Sequence, residues 1–155
     1  MSRTYGDRRS FLKGVGGAAT AIGLAGCAGL GGDSGRDFFK LGAVTSLSGD
    51  LRFGGEVTQR GYDLWADTIN EEQGGIEIGG ETYEVQIEYA DAQSKPSTGA
   101  DAASQMIDEG ADAVLGPYSS NVTLAVCPIM DQNSMPHISG SAESPQIWQE
   151  GFEDS

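Results

Sequence analysis

Four short apolar runs, at residues 38–45, 82–89, 113–115 and 135–139, are separated by stretches of helical spacing, and this alternation constrains the fold more than any other feature of the chain. The first run, Phe38-Phe39-Lys40-Leu41-Gly42-Ala43-Val44-Thr45, ends in Ser46-Leu47-Ser48-Gly49 and reads as a buried parallel strand followed by a turn. Val57, Tyr62, Leu64, Trp65 and Ile69 fall mostly at helical spacing, which predicts a helix from about Gly55 to Glu72 stopped by Gly74-Gly75. Ile76-Glu77-Ile78, Gly79-Gly80 and the alternating Tyr83, Val85, Ile87 and Tyr89 predict a small hairpin whose second arm enters the sheet. Pro96 suits the first turn of a helix ending at Gly110, and Ser119 or Ser120 can cap another that runs to about Gln132. Strands alternating with helices predict right-handed crossovers, and so an α/β doubly wound parallel sheet with helices on both faces.

In such a sheet, ligands bind in the crevice beyond the carboxyl ends of the strands. Three loops fall there, at 46–53, 116–121 and 140–143, and all are rich in serine and glycine. Hydroxyls and bare backbone N–H groups at a helix N-terminus suit a ligand carboxylate without help from lysine or arginine. Ser48, Tyr118, Ser119, Ser120 and Ser141 are therefore candidate contacts. Plainer roles stay open: Ser48 as a turn residue, Tyr118 as rim packing, Ser119 and Ser120 as helix caps, and Glu143 as an exposed acid before Ser144-Pro145.

Charge and composition remove several function classes. The chain carries a formal net charge of −14. Beyond Cys27 the basic residues are Arg36, Lys40, Arg52, Arg60 and Lys95, set against every acidic residue except Asp7. Such a surface repels nucleic acid and anionic lipid alike. It resembles the acidic, lysine-poor surfaces of proteins from very salty surroundings, so a halophilic source is expected. A single histidine, His137, falls in a strand and reads as packing, and Cys127 lies in an apolar helical stretch and reads as a buried, inert thiol. No metal-ligand spacing, nucleophile with a base, phosphate-binding loop or dinucleotide fingerprint is present, so neither an enzyme nor any cofactor is expected.

The N-terminus decides the expected compartment. Arg8 and Arg9, followed by Ser10-Phe11-Leu12-Lys13 and an uncharged Gly- and Ala-rich run, form a twin-arginine export signal. That run is too short and too weakly apolar to span the roughly 30 Å hydrocarbon core of a bilayer. Leu24-Ala25-Gly26-Cys27 resembles a lipobox, which makes Cys27 the expected lipid attachment point, with residues 1–27 as signal peptide and 28–37 as a Gly-rich tether. Stable attachment then needs a two-chain lipid, because one chain anchors only marginally.

Four segments carry a wider resemblance: Leu47-Ser48-Gly49-Asp50; Ile69-Asn70-Glu71-Glu72-Gln73-Gly74-Gly75-Ile76; Asp91-Ala92-Gln93-Ser94-Lys95-Pro96; and Ala113-Val114-Leu115-Gly116-Pro117 with Ser119-Ser120. In order and spacing they resemble the branched-chain amino-acid-binding proteins of ABC importers, over about residues 38–145. The resemblance implies the first lobe of a type I periplasmic-binding fold, occupying 38–155 as a truncated form with the second lobe missing. It implies a small amino acid as ligand, ABC permease and ATPase subunits as partners, and a place on the outer face of the cytoplasmic membrane. A lipid-anchored sensor subunit, or a binder of amides or urea, is the alternative on the same fold. Carried over, Ser120 holds the ligand carboxylate, while the Ser141 backbone and Glu143 meet the α-ammonium and its neighbouring carboxylate. The family often has Thr where Glu143 stands; an acid there can pair with an ammonium but opposes a second acid. Phe53 takes the part of the aromatic residue that covers the ligand once a one-residue gap is allowed. Ser94 and Ser119 stand where some relatives place a disulfide. With one lobe alone a polar ligand stays half solvated, so weak or undetectable binding is expected.

Overall fold

The computed structural model describes residues 36–149. Arg8, Arg9, Cys27 and nearly all of the 28–37 tether lie outside the described residues.

The first apolar run forms β1 (Phe38–Thr45), and its last five residues are fully buried. It is followed by α1 (Arg52–Gln73), β2 (Ile76–Ile78), β3 (Glu81–Asp91), α2 (Pro96–Asp108), β4 (Ala113–Leu115), α3 (Ser120–Gln132), β5 (His137–Ile138) and α4 (Pro145–Gln149). The sheet order is β2-β3-β1-β4-β5. β1 pairs in parallel with β3 on one side and β4 on the other, β5 extends the sheet in parallel beyond β4, and only β2 runs antiparallel, as the short first arm of a hairpin with β3. The chain thus winds outward in both directions from a central β1.

Helices cover both faces because β1 and β4 are apolar on both sides. Leu41, Ala43, Val85 and Leu115 pack with Ala66, Tyr62 and Ile69 of α1. Val44 and Val114 face the other way, into a core with Ala102, Ala103 and Met106 of α2 and Val122, Val126 and Met130 of α3. Burying aliphatic side chains contributes about 1.5–3 kcal/mol each, so these two layers are what hold the strand ends in place.

α1 differs from its sequence reading. It begins at Arg52, ahead of Gly55, and the stripe it presents to the sheet is Gly55, Tyr62, Ala66 and Ile69. At about 100° per residue, Val57 and Leu64 fall on the opposite side. They are exposed, and Trp65 is 40 % exposed, so these three apolar residues lie outside the core although they fall in the helical pattern. Gly55 sets this orientation: a Cβ there would lie 1.9 Å from the Ser46 carbonyl oxygen, so only glycine lets α1 start against the end of β1. β5 is two residues long where 135–139 was expected, and α4 is an unforeseen short helix. Among the described residues, no helix is long and apolar enough to cross a membrane.

Candidate functional site

Beyond the carboxyl ends of β1, β4 and β5, the start of α1, the β4–α3 loop and the β5–α4 loop surround a cleft of about 570 Å³. Phe53, Tyr118, Ser119, Ser120, Ser141 and Glu143 line it, together with Gly54, Val57, Thr58 and Gly140. Six of the seven ligand contacts expected from the sequence thus meet around one space.

Hydroxyl groups fix the β4–α3 loop from several sides. Ser46 Oγ donates to the Tyr118 carbonyl at 3.2 Å, and Thr123 Oγ1 reaches the carbonyls of Pro117 and Ser119 at 3.2 and 3.1 Å. The buried His137 ring bonds the Gly116 carbonyl through Nε2. Burial pushes this imidazole below its ordinary pKa, against the opposing effect of that carbonyl, so the sole histidine packs as a neutral strut. The Gly116–Pro117 and Tyr118–Ser119 peptide bonds are both cis. Gly54 leaves room for the Tyr118 ring: a Cβ there would meet its edge at 2.2 Å.

Ser119 is the N-cap of α3 by position, and its side chain makes no capping bond. Its carbonyl accepts the N–H groups of Val122 and Thr123 at 3.0 and 2.9 Å. The N–H groups of Ser120 and Asn121 belong to the first turn, where a helix offers them no acceptor, so they suit an anion. Ser120 does something the sequence did not reveal. Its Oγ accepts the backbone N–H of Glu143 at 3.1 Å and of Ser144 at 3.2 Å, which ties the β5–α4 loop to the start of α3. With its oxygen occupied by two donors, the hydroxyl proton is left to be donated. Across the cleft Thr58 Oγ1 and Ser141 Oγ lie 3.3 Å apart, linking the same loop to α1.

Ser48 is placed elsewhere. Its hydroxyl donates to Asp91 Oδ2 at 2.6 Å and its N–H to Oδ1 at 3.2 Å. It is not among the residues lining the cleft. Val57 and Thr58, which do line it, were missed because they fall inside the expected helix, whereas the sequence reading looked for ligand contacts only in the loops. Cys127 is fully buried in α3, and among the described residues no group of three or more His, Cys, Asp or Glu side chains could hold a metal ion.

Residues 39–152 match the family described as periplasmic binding protein. The chain belongs to the periplasmic binding protein family. This periplasmic binding protein is 28 % identical to the Leu/Ile/Val-binding protein BraC3 of Rhizobium johnstonii over 112 residues, or 72 % of this chain and 29 % of the relative. Among solved structures it is similar to the branched-chain amino acid transporter substrate-binding protein LivJ of Streptococcus pneumoniae in complex with isoleucine. There the identity is 27 % and the TM-score 0.67, over 76 % of this chain and 32 % of the other. A Rhodopseudomonas palustris solute-binding protein of an ABC transporter, in complex with 3,4-dihydroxybenzoic acid, shares the fold at a TM-score of 0.59 and 19 % identity, over 74 % of this chain and 30 % of the other. The chain spans about three-tenths of the length of the curated relatives it matches. The doubly wound sheet built outward from β1 is therefore one lobe of a type I periplasmic-binding fold.

Proposed function

We propose that this chain supplies the ligand-capturing lobe of an extracytoplasmic solute-binding lipoprotein that takes up small amino acids, of the branched-chain type, for an ABC importer. One observation carries the reading: the N-terminus of α3, Ser120 with a hydroxyl proton still to donate, and the apolar surfaces of Phe53, Val57 and Tyr118 meet at a single cleft. Donors for a carboxylate beside apolar surface for an aliphatic side chain match the two ends of such a ligand. The likeness to Leu/Ile/Val-binding relatives points the same way. Export through Arg8 and Arg9, a lipid on Cys27, and delivery to permease and ATPase subunits complete the proposal.

Amide proton–nitrogen correlation spectra of the chain, titrated with L-leucine into the millimolar range, test the site. Shifts should concentrate at residues 118–121 and 140–143, and Ser120→Ala should weaken them about tenfold. Shifts spread over the surface, or none, would defeat the reading.

A further inference from the structure

Three contacts triangulate the cleft. Gly54 of α1 meets the Tyr118 ring of the β4–α3 loop, and Ser120 Oγ joins the start of α3 to the β5–α4 loop through the N–H groups of Glu143 and Ser144. The third side is Thr58 Oγ1, 3.3 Å from Ser141 Oγ, which ties the β5–α4 loop back to α1. Gly54 and Thr58 are four residues apart and so lie one above the other on the same side of the helix. One turn of α1 therefore touches both loops. Thr68, further along α1, folds its hydroxyl back onto the Leu64 carbonyl at 2.7 Å, the local bond that helical threonines commonly make. Thr58 has the same option at Gly54 and reaches across to Ser141 instead.

Residues 140–143 depend on such side-chain bonds. Among the described residues no backbone-to-backbone hydrogen bond fastens any of them. Ala142 packs on Cys127 and Ile147, while Ser141 and Glu143 on either side of it line the cleft. From this arrangement, and resting on the function proposed above, we infer that Thr58 is a positioning residue: through Ser141 it holds the β5–α4 loop at the spacing from α1 that a ligand seated at the N-terminus of α3 requires. A loop already held in its bound place need not be ordered by the ligand, and that difference goes into affinity. Loss of the Thr58 hydroxyl therefore weakens binding by about three- to tenfold, the usual net contribution of one hydrogen bond.

A double-mutant cycle tests this. Leucine is titrated into the whole chain, Thr58→Val, Ser141→Ala, the double variant and Thr58→Ser, with amide spectra as the readout. Valine keeps the shape of threonine without its hydroxyl, and alanine at 141 keeps the backbone, so each single change breaks the same bond. Ser141 lies in a loop, so its variant carries the test if the valine variant does not fold. The expected result is that each single variant weakens leucine by about three- to tenfold, the double variant weakens it no further, and Thr58→Ser restores it. A residue acting only on stability would move the urea midpoint and leave the affinity of the folded chain alone. Unchanged affinity in the single variants, losses that add in the double variant, or a serine variant as weak as the valine one overturns the positioning role and leaves the amino-acid reading standing. Absence of leucine shifts at 118–121 and 140–143 in the unaltered chain overturns both.

Discussion

Ser48 Oγ lies 2.6 Å from Asp91 Oδ2, binding the loop after β1 to the end of β3 instead of reaching into the cleft. The same carboxylate accepts the N–H groups of Leu47 and Gln93 at 2.8 and 2.7 Å, and Ser94 Oγ donates to the Ser48 carbonyl at 2.7 Å. Asp91 thus secures the turn from which α1 starts, and through it Phe53 and Gly54. Burial works against its charge, but the Ser48 hydroxyl and the N–H groups of Gln93, Leu47 and Ser48 outweigh it and hold the carboxyl below its usual value.

A depressed folded pKa contributes stability that is present above the unfolded aspartate value, about pH 4, and is lost as pH falls through the folded value. Asp91→Ala should cost about 2 kcal/mol at neutral pH, because it leaves loop N–H groups without an acceptor. Its denaturation midpoint should also fall less steeply with acid below about pH 4 than that of the unaltered chain. Equal steepness in the two proteins would show that Asp91 does not carry this linkage.

Neighbouring glycines should behave differently. At Gly55 an added Cβ meets the Ser46 backbone carbonyl at 1.9 Å, and backbone cannot move aside cheaply. Gly55→Ala should destabilise by about 3 kcal/mol. At Gly54 the obstacle is the end of the Tyr118 side chain. Gly54→Ala should therefore cost less than about 1 kcal/mol while displacing Tyr118 from the cleft. Urea unfolding of the two variants side by side checks the contrast, and equal losses would contradict it.

Tyr62 OH is buried with no hydrogen-bond partner, and burial raises the pKa of the phenol. Tyr62→Phe removes a desolvated hydroxyl while keeping the ring that packs on β1. Stability should stay level or rise by up to about 1 kcal/mol, measured by the same unfolding curves. A loss beyond about 1 kcal/mol would reveal that the hydroxyl contributes to the fold.

Cys27→Ser should release the exported protein into the medium, and replacing Arg8 and Arg9 with lysines should keep it inside the cell. Fractionation of cells carrying each variant reads both outcomes. Membrane retention of the serine variant would remove the lipid anchor from the proposal.

An excess of exposed carboxylates repels itself until salt screens it, with a Debye length falling from about 10 Å at 0.1 M to about 3 Å at 1 M. The melting temperature should therefore climb as potassium chloride rises to about 2 M, in step with the net charge of −14. A melting temperature indifferent to salt would count against adaptation to brine.

Local pattern carried much of the architecture. Alternation at Tyr83, Val85, Ile87 and Tyr89 fixed the sheet-facing side of β3, where Val85 is buried and Glu84 and Gln86 are exposed. Ala113–Leu115 and the span to Gln132 matched β4 and the end of α3, since short apolar runs bounded by turn residues leave the backbone few options. α1 was harder to read, because its apolar residues occupy two faces and nothing local says which one meets the sheet. The close approach at Gly55 settles that, and its other participant, Ser46, belongs to a different element.

What the sequence determined by itself is the order of the strands and of α1, α2 and α3 and the chemistry of the loop tips, since both follow from short-range periodicity and residue type. Tertiary structure alone decided that Ser48 turns toward Asp91, that Val57 and Thr58 join the cleft, and that Ser120 binds the loop bearing Glu143. Each is a pairing between residues far apart in the chain. Hydrogen-bond partners of that kind are selected by how the packed layers bring loop ends together, which no local pattern encodes.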